Sequence, residues 1–312
     1  MPSAYYTHPA CRLHAMGPGH PECPERLDAI ADHLRASGLA DLIEQREAPE
    51  ASIAQLQRAH DALLVAQVRD SSQQAGQNRH GLVQIDPDTA VNVHTWAAAL
   101  RGAGAAIAAT DAVLQGELDT AFCAVRPPGH HATRSQAMGF CFFNNVAVAA
   151  LHALEAHGLE RVAIIDFDVH HGNGTQDIVA GDDRILMVSF FQHPLYPYSG
   201  TEPAAGNLLN LPVAPYTRGP AIRALIEQHW LPRLDAFAPE LILISAGFDA
   251  HRDDDLGQLG LVEADYAWIT EQLVAVARRH AQERVVSCLE GGYHLGALAR
   301  SVAAHLRVLA GL

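Results

Sequence analysis

Apolar residues in this chain fall into short unbroken blocks, separated by stretches where they recur every three or four positions. The blocks lie in DTAFCAV (119–125), RVAIIDFD (161–168), RILMVSF (184–190), ELILISAGFD (240–249) and RVVSCLEGG (284–292). Runs of this length without alternation predict strands covered on both faces. SAYYT (3–7) predicts a short first strand. The intervening periodicity predicts helices over 145–157, 263–281 and 295–311, a short one over 174–180, and two short ones within 52–75 meeting near His60. A helical, mostly small and apolar stretch is expected from Thr89 to Leu114. In PERLDAIADHLRASG, Pro24 takes the first helical position, Leu27, Ile30, Ala31 and Leu34 share a face, and Gly38 is the stop. The polar segment SSQQAGQNRHG (71–81) predicts a mobile loop on a rim. Strands alternating with helices predict a three-layer α/β/α fold around a mainly parallel sheet of about eight strands, in one domain over 1–312.

Charge and composition narrow the partners. A formal charge of −14 argues against sequence-independent nucleic-acid binding, which needs basic surface to displace phosphate counterions. No stretch approaches bilayer length, because the Ala-rich segment 97–109 contains Arg101 and two glycines, so no membrane partner is expected. MPSAYYTHPACRLH lacks a basic region followed by an apolar core, and cytoplasmic residence is the expectation. The five cysteines are scattered without a CxxC, which indicates neither a disulfide framework nor a cysteine-based zinc site.

Four polar clusters, RPPGHHA, DFDVHHG, SAGFDAH and EGGY, each follow the end of a predicted strand. Open parallel sheets place their ligand crevice at that edge, so the clusters converge. Asp168 and His170 are two apart in an extended segment and leave the same face; Asp249 from another strand end completes three ligands and leaves a fourth position for water. A lone D-x-H more often caps a turn, and the second aspartate is what points to a metal. Zinc is the first expectation, and iron(II) or another first-row ion suits the oxygen-rich set as well.

His130 and His131 follow two stiffening prolines and Gly129, and adjacent imidazoles there suit proton transfer from an attacking water to a leaving amine. Asp166, one pleat from Asp168, is placed to orient one of them. Tyr293, after Gly291 and Gly292, is a phenol suited to a developing oxyanion. Phe140, after Gly139, is the candidate channel wall, with Cys141 buried. His8, Cys11, His14, His20 and Cys23 match no zinc spacing, and Ser189, Ser245 and Ser287 lack a GxSxG context. His171 receives no role.

RPPGHHA, GFCFFNN, DFDVHHGNGTQ, SAGFDAHRDD and LEGGY, in this order, resemble the zinc-dependent histone deacetylase and acetylpolyamine amidohydrolase family on its arginase-like fold. The likeness runs from about His20, where GHPECPERL also fits, to the C-terminus. It implies zinc on Asp168, His170 and Asp249, His131 as general base and acid, His130 as its electrostatic partner near Asp166, and Tyr293 polarising the substrate carbonyl. It also implies Arg26 on an inner channel for acetate, and a structural potassium ion near Asp166, Asp168, His170, Ser189 and Phe190. The substrate channel falls to Gly139, Phe140, Leu256 and Gly291, with Tyr196 or Tyr198 opposite. Asn173 stands where class I members carry aspartate, which marks the class II branch. Tyr293 is the active-type residue, unlike the histidine of the weakly active class IIa vertebrate enzymes. Leu256 replaces the gatekeeper glutamate of the polyamine-selective class IIb deacetylase, which favours acyl-lysine.

The expected function is therefore a zinc amidohydrolase that removes acetyl or other acyl groups from lysine in proteins or peptides, compatible with assembly as a homo-oligomer. The alternatives are an acetylpolyamine or other small-amide hydrolase, a metal-bound reader of acylated proteins without catalysis, and an arginase-type binuclear manganese enzyme, which needs further bridging carboxylates.

Overall fold

A computed structural model describes residues 2–312. Its strands are β1 (Ser3–Thr7), β2 (Glu44–Glu47), β3 (Val83–Asp86), β4 (Thr89–Val91), β5 (Thr120–Cys123), β6 (Val162–Asp166), β7 (Ile185–Gln192), β8 (Leu208–Val213), β9 (Leu241–Ala246) and β10 (Val285–Leu289). Eight of them form one sheet in the order β2-β1-β5-β10-β9-β6-β7-β8. Every neighbouring pair in that sheet runs parallel. The apolar blocks occupy its middle, and every residue of β5, β10, β9 and β6 is buried. Burying a side chain such as Ile164 or Leu243 stabilises the fold by about 1.5–3 kcal/mol, so this central quartet is the rigid part of the sheet. Helices Glu25–Ala36, Glu263–His280 and Leu295–Leu309 form one flanking group, and Thr95–Leu114 with Asn145–His157 form another.

The strands are shorter than the apolar runs suggest, because the ladder stops where the chain turns out to build the site. Their ends are in register: Cys288 lies beside Cys123, Leu289 beside Ala246, and Asp166 beside Ser245. Four loops therefore leave the sheet at one level.

Several elements differ from expectation. Residues 89–91 are not helical; they form β4, hairpin partner of β3, and the helix begins at Thr95. Asn92 enforces the break, its Oδ1 accepting from the His94 amide at 3.0 Å and from the Thr95 hydroxyl at 3.1 Å. That helix, Thr95–Leu114, is 20 residues long and apolar enough to meet a bilayer-spanning length, which corrects the reading of 97–109; it is mostly buried inside the fold. Residues 71–75 finish the helix Ala62–Ala75, so the loop begins at Gly76. The edge strands β2 (EQRE) and β8 (LLNLPV), and the helical run 219–237, carried too weak an apolar pattern to be foreseen.

Candidate active site

Past β6 the backbone folds onto its own carboxylates. The Asp168 amide donates to Asp166 Oδ1 at 3.1 Å and the His170 amide to Asp168 Oδ1 at 2.9 Å. The Gly291 amide, from the loop after β10, donates to Asp168 Oδ2 at 2.9 Å, and the Val169 amide to Asp249 Oδ1 at 2.9 Å. Three loops thereby aim Asp168, His170 and Asp249 at one point, with a ligand atom of each within 4.8 Å of the others.

The chemistry of this group fits a divalent cation. Asp249 Oδ2 is buried without a hydrogen-bond donor, although His170 Nδ1 lies 3.2 Å away. A buried carboxylate oxygen is costly unless a proton or cation compensates it. Burial and the Asp168 charge push Asp249 up to about 7. Against burial, which favours the neutral ring, Asp168 and Asp249 raise His170 to about 10. The negative field that holds a proton on His170 is one a divalent ion would satisfy in its place.

His130 and His131 sit side by side, ring centroids 4.0 Å apart, in unlike surroundings. His130 Nδ1 donates to Asp166 Oδ2 at 3.0 Å. Burial alone would keep His130 neutral, but Asp168 and Asp166 outweigh it and raise the ring well above its ordinary value. His131 Nδ1 lies 2.7 Å from Asn173 Oδ1, and the Asn173 amide group donates to Met138 Sδ at 3.4 Å. That orientation makes His131 Nδ1 the donor and leaves Nε2 with its lone pair free. Burial, then the charges on His130 and His170, lower His131 well below its ordinary value. The surroundings of His130 thus favour the charged ring, and those of His131 the neutral one.

His131, His170 and Tyr293 line a chamber of about 250 Å³. Phe140, Leu195, Tyr196 and Leu256 form its walls with Gly139, and the partly exposed Asp88 adds a carboxylate. Gly139 has φ +55°, and a Cβ there would meet His131 Cδ2 at 2.5 Å, so only glycine lets the wall approach the imidazole. Burial, followed by the Asp249 charge, keeps the Tyr293 phenol well above its ordinary value, hence protonated and able to donate.

The remaining expected residues fall partly on the chamber and partly around it. Tyr196 is the wall, its ring 5.2 Å from His131, whereas Tyr198 is 71% exposed and turned away at φ +62°. Gly291 does not line the chamber; it lies behind the metal group, where a Cβ would collide with the Asp249 and Asp168 carboxylates. Arg26 is fully buried and also off the chamber, donating to the Gly292 carbonyl at 2.6 Å and the Glu290 carbonyl at 2.5 Å, with its guanidinium 5.0 Å from the Tyr293 ring centre. Ser189 is the register partner of Asp166 and donates to Asn210 Oδ1 at 3.1 Å, and Phe190 stacks on Trp230. His171 bridges Ser199 Oγ at 2.8 Å and Gln176 Oε1 at 3.0 Å, which ties the loop carrying Tyr196 to the chain after β6. Asp88 and Leu195 escaped sequence reading; only the DPD turn of the β3–β4 hairpin hinted at the first.

A second histidine–carboxylate group, Asp111, His152 and His157, is satisfied internally. Both Nε2 atoms donate to Asp111 Oδ1, at 2.7 and 2.6 Å, and Arg58 donates to His152 Nδ1 at 2.6 Å. The arginine keeps the proton on His152 Nε2 and adds a positive charge, which opposes a cation there.

The chain is similar in sequence and fold to known proteins. Residues 20–309 match the family model of the histone deacetylase domain. The histone deacetylase-like amidohydrolase of Pseudomonas aeruginosa is 38% identical over 93% of this chain and 81% of its own length. The polyamine deacetylase HDAC10 of Mus musculus is 38% identical over 93% of this chain and 45% of its own length. The crystal structure of the HDA15 HD domain superposes with a TM-score of 0.92 at 33% identity, covering 100% of this chain and 89% of that one. The shared sheet, the near-complete span of the family model and identities of this size place the chain in the histone deacetylase family of amidohydrolases.

Proposed function

We propose that this protein is a zinc-dependent deacylase that removes acetyl or other acyl groups from the lysine side-chain amine of proteins or peptides. The observation that carries this reading is one chamber lined by His131, Tyr293 and His170, the last of which also belongs to the Asp168–His170–Asp249 group. Asp168, His170 and Asp249 would hold a divalent ion, which would supply Lewis-acid polarisation of the amide carbonyl. Tyr293 donates its hydroxyl proton in a hydrogen bond to the oxygen that becomes negative as water adds to the carbonyl carbon. His131 Nε2 takes the proton of the attacking water and returns it to the amine nitrogen as the C–N bond breaks, giving free amine and acetate. His130, held cationic by Asp166, stabilises negative charge nearby without exchanging its proton. A potassium ion near Asp166, Asp168, His170, Ser189 and Phe190 belongs to the same reading and would steady the loop after β6.

The walls suit the substrate. Phe140, Leu195, Tyr196 and Leu256 enclose a narrow apolar passage for a lysine stem, and Asp88 can accept a peptide amide beside it. A second reading, an acetylpolyamine substrate, draws on the same Asp88 with its neighbour Asp86, whose carboxyl is raised by burial and by Asp88. The two are separated by acetate release from an acetyl-lysine peptide and from acetylspermidine on purified, zinc-loaded protein. Peptide turnover at least tenfold above that of acetylspermidine is expected, and the reverse ratio would transfer the assignment to polyamines.

A further inference from the structure

Glu290 directly follows β10 and is fully buried, yet it holds no place in the chemistry above. Its Oε2 accepts the Gly129 amide at 2.7 Å and the His130 amide at 3.1 Å, while Oε1 accepts the Ser245 hydroxyl at 3.1 Å. No salt bridge reaches its carboxylate among the described residues; Arg26 meets only its backbone carbonyl. The charged groups that act on it are His130 and Asp166. A carboxylate desolvated this far is costly, which raises the question of what its position achieves.

We infer that Glu290 is a positioning residue that ties the tandem-histidine turn to the segment carrying Tyr293, setting the separation of the two groups that act on the substrate carbonyl. The inference rests on the hydrolase reading above. On one side of the tie, the Gly129–His131 turn also hydrogen-bonds to Asp166 at the end of β6 and to the chain beyond it, through Asp166 on His130, the Thr175 amide on the His130 carbonyl and Asn173 on His131. On the other side, Glu290 is followed directly by Gly291, whose amide holds Asp168, and then by Gly292 and Tyr293, whose amide donates to Asp254 Oδ2 at 2.6 Å. The Glu290 amide is itself fixed on the Ala246 carbonyl at 2.9 Å, at the end of β9. The side chain is therefore a hydrogen-bonded link between the turn that carries His131 and the segment that carries Tyr293, and it joins the ends of β5, β9 and β10. Misplacement of a catalytic group by about 1 Å costs on the order of 100-fold in rate, so this link bears on kcat rather than on binding.

Reach and charge make different demands, and two near-isosteric variants separate them. Glu290→Gln keeps the reach: its amide oxygen accepts both backbone amides and its NH2 donates to Ser245 Oγ. Glu290→Asp keeps the charge but is one methylene short, and Glu290→Ala removes both. With full-length zinc-loaded protein and an acetyl-lysine peptide, Gln should retain kcat within about threefold of wild type. Asp and Ala should lose about 30- to 100-fold in kcat, with KM within about threefold and one zinc per chain retained. Hydrogen exchange of the Gly129 and His130 amides should accelerate at least tenfold in Asp and Ala but not in Gln, a readout that stands even if Ala folds poorly or the peptide is not a substrate. Wild-type kcat in Ala, a Gln variant as poor as Ala, or unchanged exchange in Asp would overturn the inference. Absence of acetate release from the wild type would instead overturn the hydrolase reading, with the exchange result still deciding the link.

Discussion

His131 Nδ1 lies 2.7 Å from the side-chain oxygen of Asn173, a neutral partner, where a carboxylate would make the ring more basic. Replacing Asn173 with aspartate puts a negative charge at that distance and favours the imidazolium. The expected result is that Asn173→Asp moves the acid limb of the kcat/KM profile up by about one to two pH units, because the base must now lose its proton at higher pH. A pH–rate profile from pH 5 to 10 checks this, and an unmoved limb would mean that His131 is not the group that titrates.

Leu256 stands on the chamber wall and leaves it without a charge there. Leu256→Glu adds a carboxylate beside the passage, which attracts a second amine in a polyamine and offers nothing to an uncharged peptide backbone. The ratio of kcat/KM for acetylspermidine over acetyl-lysine peptide should rise roughly tenfold, the effect of a partly screened charge pair. An unchanged ratio would place the selectivity elsewhere, with Asp88 the next residue to vary.

Gly291 tests the metal group from behind. A methyl there must displace the Asp249 or Asp168 carboxylate, since the backbone on both sides is pinned. Gly291→Ala should therefore lose at least half of its bound zinc after dialysis and at least 100-fold in turnover. The stability cost should be only about 1–3 kcal/mol, the usual range for overpacking. Metal analysis beside a thermal melt separates these effects, and full zinc occupancy in the variant would contradict the placement.

Two buried histidines away from the chamber set a pH limit on stability. His60 donates from Nδ1 to the Thr133 carbonyl and accepts the Asn144 amide at Nε2. His305 lies between Thr270 and Ser287. Burial lowers them from 6.5 to about 4 and about 3 respectively. Between those values and 6.5 the unfolded chain binds protons that the folded chain refuses, so stability is complete above 6.5 and falls as the pH drops below it. Each contributes up to about 1.4 kcal/mol per pH unit in that window. Urea midpoints at pH 7 and pH 5 measure the loss, and His60→Gln should shallow it.

Much of the fold was legible because the central strands are covered on both faces, which demands unbroken apolar runs such as VAII and LILI. The edge strand EQRE has no such demand, since one flank is open, and Pro212 is tolerated in β8 for the same reason. Asp168, His170 and Asp249 could be read locally, as each lies within four residues of a strand end. Asp88 could not, because it reaches the chamber only through a hairpin that pairs Gln84 with Ala90. The choice between Tyr196 and Tyr198 turned on a left-handed residue at Tyr198, a backbone feature that residue identity does not announce. Glu290 was visible as a letter, but its role depends on two amides far away in sequence.

The most direct measurement is acetate release from an acetyl-lysine peptide by wild type and His131→Ala, with zinc counted in the same samples. Wild type should turn over with one zinc per chain, and His131→Ala should fall by about 100- to 10,000-fold with its zinc intact. Near-normal turnover in His131→Ala, or a wild type that binds zinc and releases no acetate from any acylated amine, would contradict the proposed chemistry.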